Sequence, residues 1–101
     1  MFVVDRLGVR SVARLLGVSP SQPSRWRTGA ELPGPGTARR LLDLDHVLAQ
    51  LVQVWPAEVA EDWLTTANPH LEGATPAEVL EVRGSAEVID ALRADAEGAF
   101  S

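Results

Sequence analysis

Apolar residues return at three- and four-residue steps along most of the chain, and no stretch alternates apolar with polar strictly enough to predict a strand. The longest periodic run is Leu41, Leu44, Leu48, Leu51 and Trp55, with Val47 and Val52 beside it. That spacing predicts a core-facing stripe on one long helix, capped by Thr37 and ending near Trp55. Pro56 then starts a helix in a new direction, carrying Val59, Ala60, Trp63 and Leu64. Asn68-Pro69 ends it, because proline disfavours the helical region for the residue before it. Leu71 falls in a loop before Gly73. Thr75-Pro76-Ala77-Glu78 has the pattern of a capping box and opens a helix of about two turns, with Val79 and Leu80 facing inward and Gly84 closing it. Ser85 opens the last helix, where Val88, Ile89, Leu92, Ala96 and Phe100 make one stripe. Exposed apolar stripes on these last two helices predict self-association. The fold class is all-α.

The front of the chain reads as shorter helices. An apolar turn from Phe2 to Leu7 ends at Gly8; Ser11 caps a helix through Leu16, with Gly17 at its C-terminal end. Ser19 caps the next, with Pro20 at the first helical position, where its missing N–H costs nothing, and it runs to about Thr28 before Gly29. The stretch Glu31-Leu-Pro-Gly-Pro-Gly36 is too rich in Pro and Gly for regular structure and serves as a connector. Two short helices thus meet across a tight turn. Ala13 is small where they cross, Val18 fills the turn, and Trp26 and Pro23 face inward, which turns Ser21, Ser24, Arg25 and Thr28 outward.

This pattern resembles the helix-turn-helix of Xre-type repressors over about residues 8–33, and the chemistry suits DNA. Arg25 can read guanine O6/N7 and Gln22 an adenine edge in a major groove. Ser21, Ser24, Thr28 and the helix N-terminus suit phosphate, as do Arg10, Arg14 and Arg27. A single module contacts little DNA, so binding calls for a dimer on two half-sites. Two departures from the family pattern bear on this: the preceding helix is cut to Phe2–Leu7, which predicts a thin core at that end, and Pro23 stands where an aliphatic residue is usual, which predicts lost packing.

Charge changes the picture. The chain has 101 residues and a net charge of −5, but residues 1–42 carry a net +5 and residues 43–101 a net −10. A basic front and an acidic back imply partners of opposite charge. All the basic residues are arginine, which favours bidentate contacts. The absence of cysteine excludes a disulfide framework and a thiolate metal site, in keeping with a cytoplasmic protein. The N-terminus is too brief and too early charged for a signal peptide, and no apolar run is long enough to span a membrane.

The back of the chain shows Trp63-Leu64 at a helix end, then Asn68-Pro69, Leu71, Gly73, Thr75-Pro76, Leu80, Gly84, Val88, Leu92, and Gly98-Ala99-Phe100 at the close. In that order, over about residues 55–101, these features resemble the C-terminal domain of the Xre/MbcA/ParS-like antitoxins. Residues 1–34 then form the helix-turn-helix, 35–54 a long core and dimerisation helix, and 55–101 the toxin-binding domain. The resemblance implies a bacterial type II antitoxin whose partner is a RES-domain toxin that consumes NAD, by degrading it or by transferring its ADP-ribose. It also implies that Glu97, Gly98, Ala99, Phe100 and Ser101 plug the toxin's NAD pocket, while Trp63, Leu64, Asn68, Pro69, Leu71 and Leu80 form the docking surface. Phe100 is a rigid aromatic anchor, and the terminal carboxylate with Glu97 can meet arginines of a phosphate-binding pocket.

No catalytic constellation accompanies these features, so the chain is not expected to be an enzyme or to hold a cofactor of its own. His46 and His70 lack further ligands at metal spacing. The Pro-Gly-Pro-Gly run has prolines where a phosphate loop needs backbone donors. The expected assembly is a homodimer or a larger hetero-oligomer with toxin. Two other readings remain: an Xre-type transcriptional repressor with a dimerising tail and no toxin partner, and a protein-binding adaptor whose helix-turn-helix is vestigial.

Overall fold

Leu48 and Leu51 are wholly buried, and the helix that carries them organises the molecule. The computed structural model describes residues 2–100, with the backbone alone for Ala99 and Phe100. Its elements are α1 (Phe2–Leu7), α2 (Val9–Leu16), α3 (Ser21–Thr28), α4 (Pro35–Val54), α5 (Ala57–Thr65), a 3-10 turn (Pro69–Leu71), α6 (Pro76–Arg83) and α7 (Ala86–Phe100), and the described residues include no strand. Leu41, Leu44, Val47, Leu48 and Leu51 of α4 are buried as the periodicity predicts. Around them pack α1, α2, α5, α6 and α7. The core runs without interruption from Val3 to Leu92, so the three expected segments share it.

Several helix starts differ from expectation by a few residues. α2 begins at Val9 rather than at Ser11, because Gly8 takes a φ of 87° that a side-chain-bearing residue rarely adopts and turns the chain directly into the helix. α4 begins inside the connector, at Pro35, where proline's fixed φ is preorganised for the first position. Thr37 therefore lies within the first turn, and its hydroxyl instead accepts from Arg40 at 3.5 Å. α3 begins at Ser21 with Pro20, not Ser19, at the cap position; Ser19 lies just ahead, its hydroxyl accepting from the Ser21 N–H at 3.4 Å and its carbonyl from the Gln22 N–H at 3.0 Å. Thr75 caps α6 as expected, accepting from the Glu78 N–H at 3.2 Å.

Two expectations about the front half are corrected. Val3 and Val4 of the short α1 are buried at 1% exposure, and α1 packs on α2, α4 and α5, so that end of the core is filled. Pro23 is fully buried, so it replaces an aliphatic residue as a core filler rather than leaving a gap. It sits in the first turn of α3, where no intrahelical N–H bond is lost. A third correction concerns the last two helices. Val79, Leu80, Val88, Ile89 and Leu92 are buried in this chain's own core; among the described residues the large apolar ones left exposed are Leu32, Leu42, Val59 and Val82.

Polar contacts join front to back. Arg40 of α4 donates to the Leu16 carbonyl at 3.0 Å, satisfying an orphan acceptor at the end of α2, and lies 3.5 Å from Glu81 of α6. Arg14 of α2 reaches Glu61 of α5 at 2.8 Å.

Because one core serves all the elements, Leu48→Ala should lower unfolding free energy by about 2–5 kcal/mol. Urea titration should show this as a single earlier transition by tryptophan fluorescence and far-ultraviolet circular dichroism alike.

Candidate functional site

The segment between α5 and α6 is built around one side chain. Asn68 is 5% exposed, and all its polar groups are engaged. Its N–H donates to the Ala74 carbonyl at 3.0 Å, while its own carbonyl accepts from the N–H groups of Leu71 and Gly73, both at 3.0 Å. Its side-chain oxygen accepts from the His70 N–H at 2.9 Å. The loop then reverses through two left-handed residues, Glu72 at φ 58° and Gly73 at φ 87°. Glycine adopts that conformation freely, but Glu72 holds it at a cost. Leu71 is pushed underneath into the core.

The loop is tied to the last helix by one carboxylate. Asp95 of α7 accepts from Trp63 Nε1 at 2.7 Å and from Asn68 Nδ2 at 3.0 Å, and its other oxygen lies 3.3 Å from His70 Nε2. Two donors, from the end of α5 and the following turn, therefore converge on one carboxylate oxygen, with the His70 ring beside the other. Bonds to a charged acceptor are roughly twice as strong as neutral ones, so the cluster ties that turn to α7. Glu97, two residues on, and Gly98 are exposed.

The residues expected to dock separate by depth. Pro69 is exposed and Trp63 is half-buried with its indole N–H on Asp95. Leu64, Asn68, Leu71 and Leu80 are buried in this chain, so as placed they shape the surface from beneath and do not form its contact layer. The side chains of Ala99 and Phe100, and all of Ser101, lie outside the described residues. Beside the loop, a groove of about 340 Å³ runs between α6 and the start of α7, lined by the apolar Leu71, Val79 and Val82 and by Glu72, Glu78, Glu87, Arg83 and His70.

At the front, α3 holds Ser21, Gln22, Ser24, Arg25, Arg27 and Thr28 on one short helix with Pro23 and Trp26 inward. Arg10, Arg25 and Arg27 are exposed, and Gln22 and Ser24 half-exposed. Two arginines are already engaged within the chain. Arg25 Nε sits 2.6 Å from Glu31, and Arg14 points to Glu61 on α5 rather than standing free for phosphate. Thr28 donates to the Arg25 carbonyl at 3.1 Å, and Ser21 shares a hydroxyl contact with Ser19 at 3.0 Å.

The antitoxin Xre/MbcA/ParS C-terminal toxin-binding domain matches residues 50–98, which start in the last turns of α4 and take in the whole Asn68–Asp95 cluster. Two curated relatives, each described as the mycobacterial cidal antitoxin MbcA, come from Mycobacterium bovis and Mycobacterium tuberculosis. Each is 30% identical over 99 residues, covering 96% of this chain and 88% of the relative. This chain belongs to the Xre/MbcA/ParS antitoxin family. In three dimensions it is similar to a chain in the crystal structure of the M. tuberculosis MbcT–MbcA toxin–antitoxin complex, with a TM-score of 0.77, 30% identity, and coverage of 97% of this chain and 90% of that one. The family is one of toxin-binding antitoxins, not of enzymes.

Sequence reasoning missed Asp95, His70, Arg40, Glu31 and Glu61. Asp95 carried no signal, since an acid on an acidic helix reads as solvated. His70 follows Pro69 directly, and its proximity to Asp95 depends on a turn that only the fold specifies. Replacing Asn68 by Ala removes the acceptor for the His70 N–H and a donor to Asp95, and should cost about 1–3 kcal/mol for polar groups left unpaired. Trp63→Phe should cost less, about 1 kcal/mol, because it removes one bond, leaves no buried amide unpaired and keeps an aromatic ring, though a smaller one, at a half-buried position. Chemical denaturation of the two variants side by side measures both.

Proposed function

We propose that this chain is the antitoxin of a type II toxin–antitoxin pair, that it neutralises a RES-domain, NAD-consuming toxin by placing its C-terminus in the toxin's active site, and that its helix-turn-helix represses its own operon. The observation that carries the toxin-blocking part is the Asp95 cluster. It ties α7 to the turn after α5, two residues before Glu97, so the stretch that leads into the proposed plug is anchored to the domain. A segment ordered before binding loses less entropy when it docks. The acidic balance of residues 43–101 supports the same reading, because a pocket that binds dinucleotide phosphates is rich in cations and such charge speeds encounter. The relative solved as a toxin–antitoxin complex supports a protein toxin as partner. The RES-domain identity and NAD chemistry follow from the family resemblance.

Autorepression rests on the outward side of α3 and on the net charge of the front half. Glu31 holds Arg25 in the free chain, and because that pair is solvent-exposed it is worth ~1 kcal/mol or less, so a guanine edge can compete for the guanidinium. An operator complex is expected to use two copies of the module. The docking surface would comprise Pro69, the edge of Trp63 and the α6 groove, and the plug Glu97, Gly98, Ala99, Phe100 and Ser101. No described helix is long and apolar enough to cross a membrane, and the proposed site of action is the cytoplasm.

Truncation after Gly98 tests the plug. The shortened chain should keep its circular dichroism spectrum and melting temperature while its inhibition of the cognate toxin's NAD consumption falls at least tenfold, roughly 1.4 kcal/mol; unchanged inhibition would remove the mechanism. Gel shifts on upstream DNA should weaken steeply with salt, and Arg27→Ala should reduce that salt slope by about one phosphate contact.

A further inference from the structure

We propose that Glu31 is a positioning residue for sequence readout: it holds the Arg25 side chain by one edge, so that the opposite edge is presented to a guanine in the major groove. This deepens the DNA-binding part of the proposed function and rests on that reading.

Arg25 and Glu31 are tied twice. Gly29 takes a left-handed φ of 80° at the end of α3, and the chain turns back on the helix. The Arg25 carbonyl then accepts from the Ala30 N–H at 3.0 Å, from the Glu31 N–H at 3.4 Å and from the Thr28 hydroxyl at 3.1 Å. These bonds hold the Glu31 backbone against the residue that its side chain serves. The carboxylate closes the ring by accepting from Arg25 Nε at 2.6 Å. It therefore acts from a fixed backbone, not from a freely moving loop.

The edge that is held decides what the arginine can read. Guanine offers two acceptors, O6 and N7, and an arginine meets them with two parallel N–H donors. It can do so side-on, with Nε and one Nη group, or end-on, with both Nη groups. Glu31 occupies Nε, which removes the side-on mode. Among the described residues the guanidinium makes no other hydrogen bond within the chain, so the end-on pair stays available. A guanine edge that takes up the guanidinium need not displace Glu31. Holding Nε also restricts a long side chain before docking, so less rotamer freedom is lost when it binds.

The charge balance of the front half points the same way. The acids in residues 1–42 are Asp5 and Glu31, and Glu31 stands beside an arginine on the outward side of α3. A carboxylate there weakens attraction to phosphates of any sequence, so it works against general affinity. The pair is solvent-exposed, with side chains 48% and 37% accessible, so it adds little to stability either. Discrimination is where it acts: a fork held in one orientation is mismatched to any base that lacks the two acceptors.

Two measurements on the full chain test this. In the free protein, nitrogen relaxation should show Arg25 Nε markedly more rigid than Arg10 Nε, and equally mobile once Glu31→Ala is made. Selection from randomised duplexes at stated salt then identifies the position whose guanine preference Arg25→Ala abolishes. Competition binding there should give the wild-type chain a preference on the order of tenfold or more over other base pairs. Glu31→Ala should lower that preference at least about threefold, leave preferences at other positions and the circular dichroism spectrum unchanged, and bind random duplex no more weakly than wild type. Glu31→Gln keeps an acceptor oxygen at the same reach and should retain most of the preference. A mobile Arg25 Nε in the wild-type chain, no guanine preference that depends on Arg25, or full preference in Glu31→Ala would each overturn the positioning role. So would tighter binding by Glu31→Ala with its preference intact, which would make the carboxylate a mask, and so would equal loss of preference at every position, which would make its role one of folding. A wild-type chain that binds no duplex would instead overturn the DNA-binding reading, and this proposal with it.

Discussion

A single carboxylate joins the last helix to the turn that follows α5. Asp95 accepts from Trp63 and Asn68 and lies beside the His70 ring, and those three residues span the end of α5 and that turn. The turn has little apolar surface of its own to bury; apart from Leu71 its residues are exposed or are held by hydrogen bonds. Without the carboxylate, the buried amide of Asn68 would lack an acceptor and the left-handed Glu72 would lose a restraint that keeps it there. With it, α7 and the turn after α5 are held as one unit, and in the proposed mechanism a segment placed before docking loses less entropy.

The same chain carries a basic front half and an acidic back half on one core. α4 supplies the common wall, and Arg40 and Arg14 bind the two charge territories together through Glu81, Glu61 and the Leu16 carbonyl. Exposed ion pairs contribute little stability individually, ~1 kcal/mol or less each. Their importance is geometric: they link α2 to α5 and α4 to α6. A partner docked on the back half therefore meets a front half held at a fixed orientation, which is the physical condition for occupancy of one end to influence binding at the other.

Much of this was legible in the residues. Helix count, the buried stripe of α4, the inward Trp26 and Pro23, the Thr75 cap and the Asn68-Pro69 stop all follow from periodicity and turn chemistry, which are local. Errors arose where glycine or proline set the helix start in place of a hydroxyl, as at Gly8 and Pro35. They arose again where an apolar stripe was read as available when the fold had already covered it, as on α6 and α7. The family likeness pointed to the right stretch but could not rank its residues by depth: Leu64, Leu71 and Leu80 match the pattern because they hold it up from inside. Asp95 was invisible for a different reason. Its partners stand 25 or more residues away in sequence, and nothing in an acidic helix distinguishes an acid that binds from one that is merely solvated.

The account depends on the loop and the last helix behaving as one clamped unit, and hydrogen–deuterium exchange on Asp95→Ala examines that directly. The Leu71, Gly73 and Ala74 amides, protected in the wild-type chain, should exchange much faster in the variant together with the final turns of α7, while the amides of α4 keep their protection. Uniform protection across loop and helix in the variant, or equal loss in α4, would show that the carboxylate does not position the C-terminus.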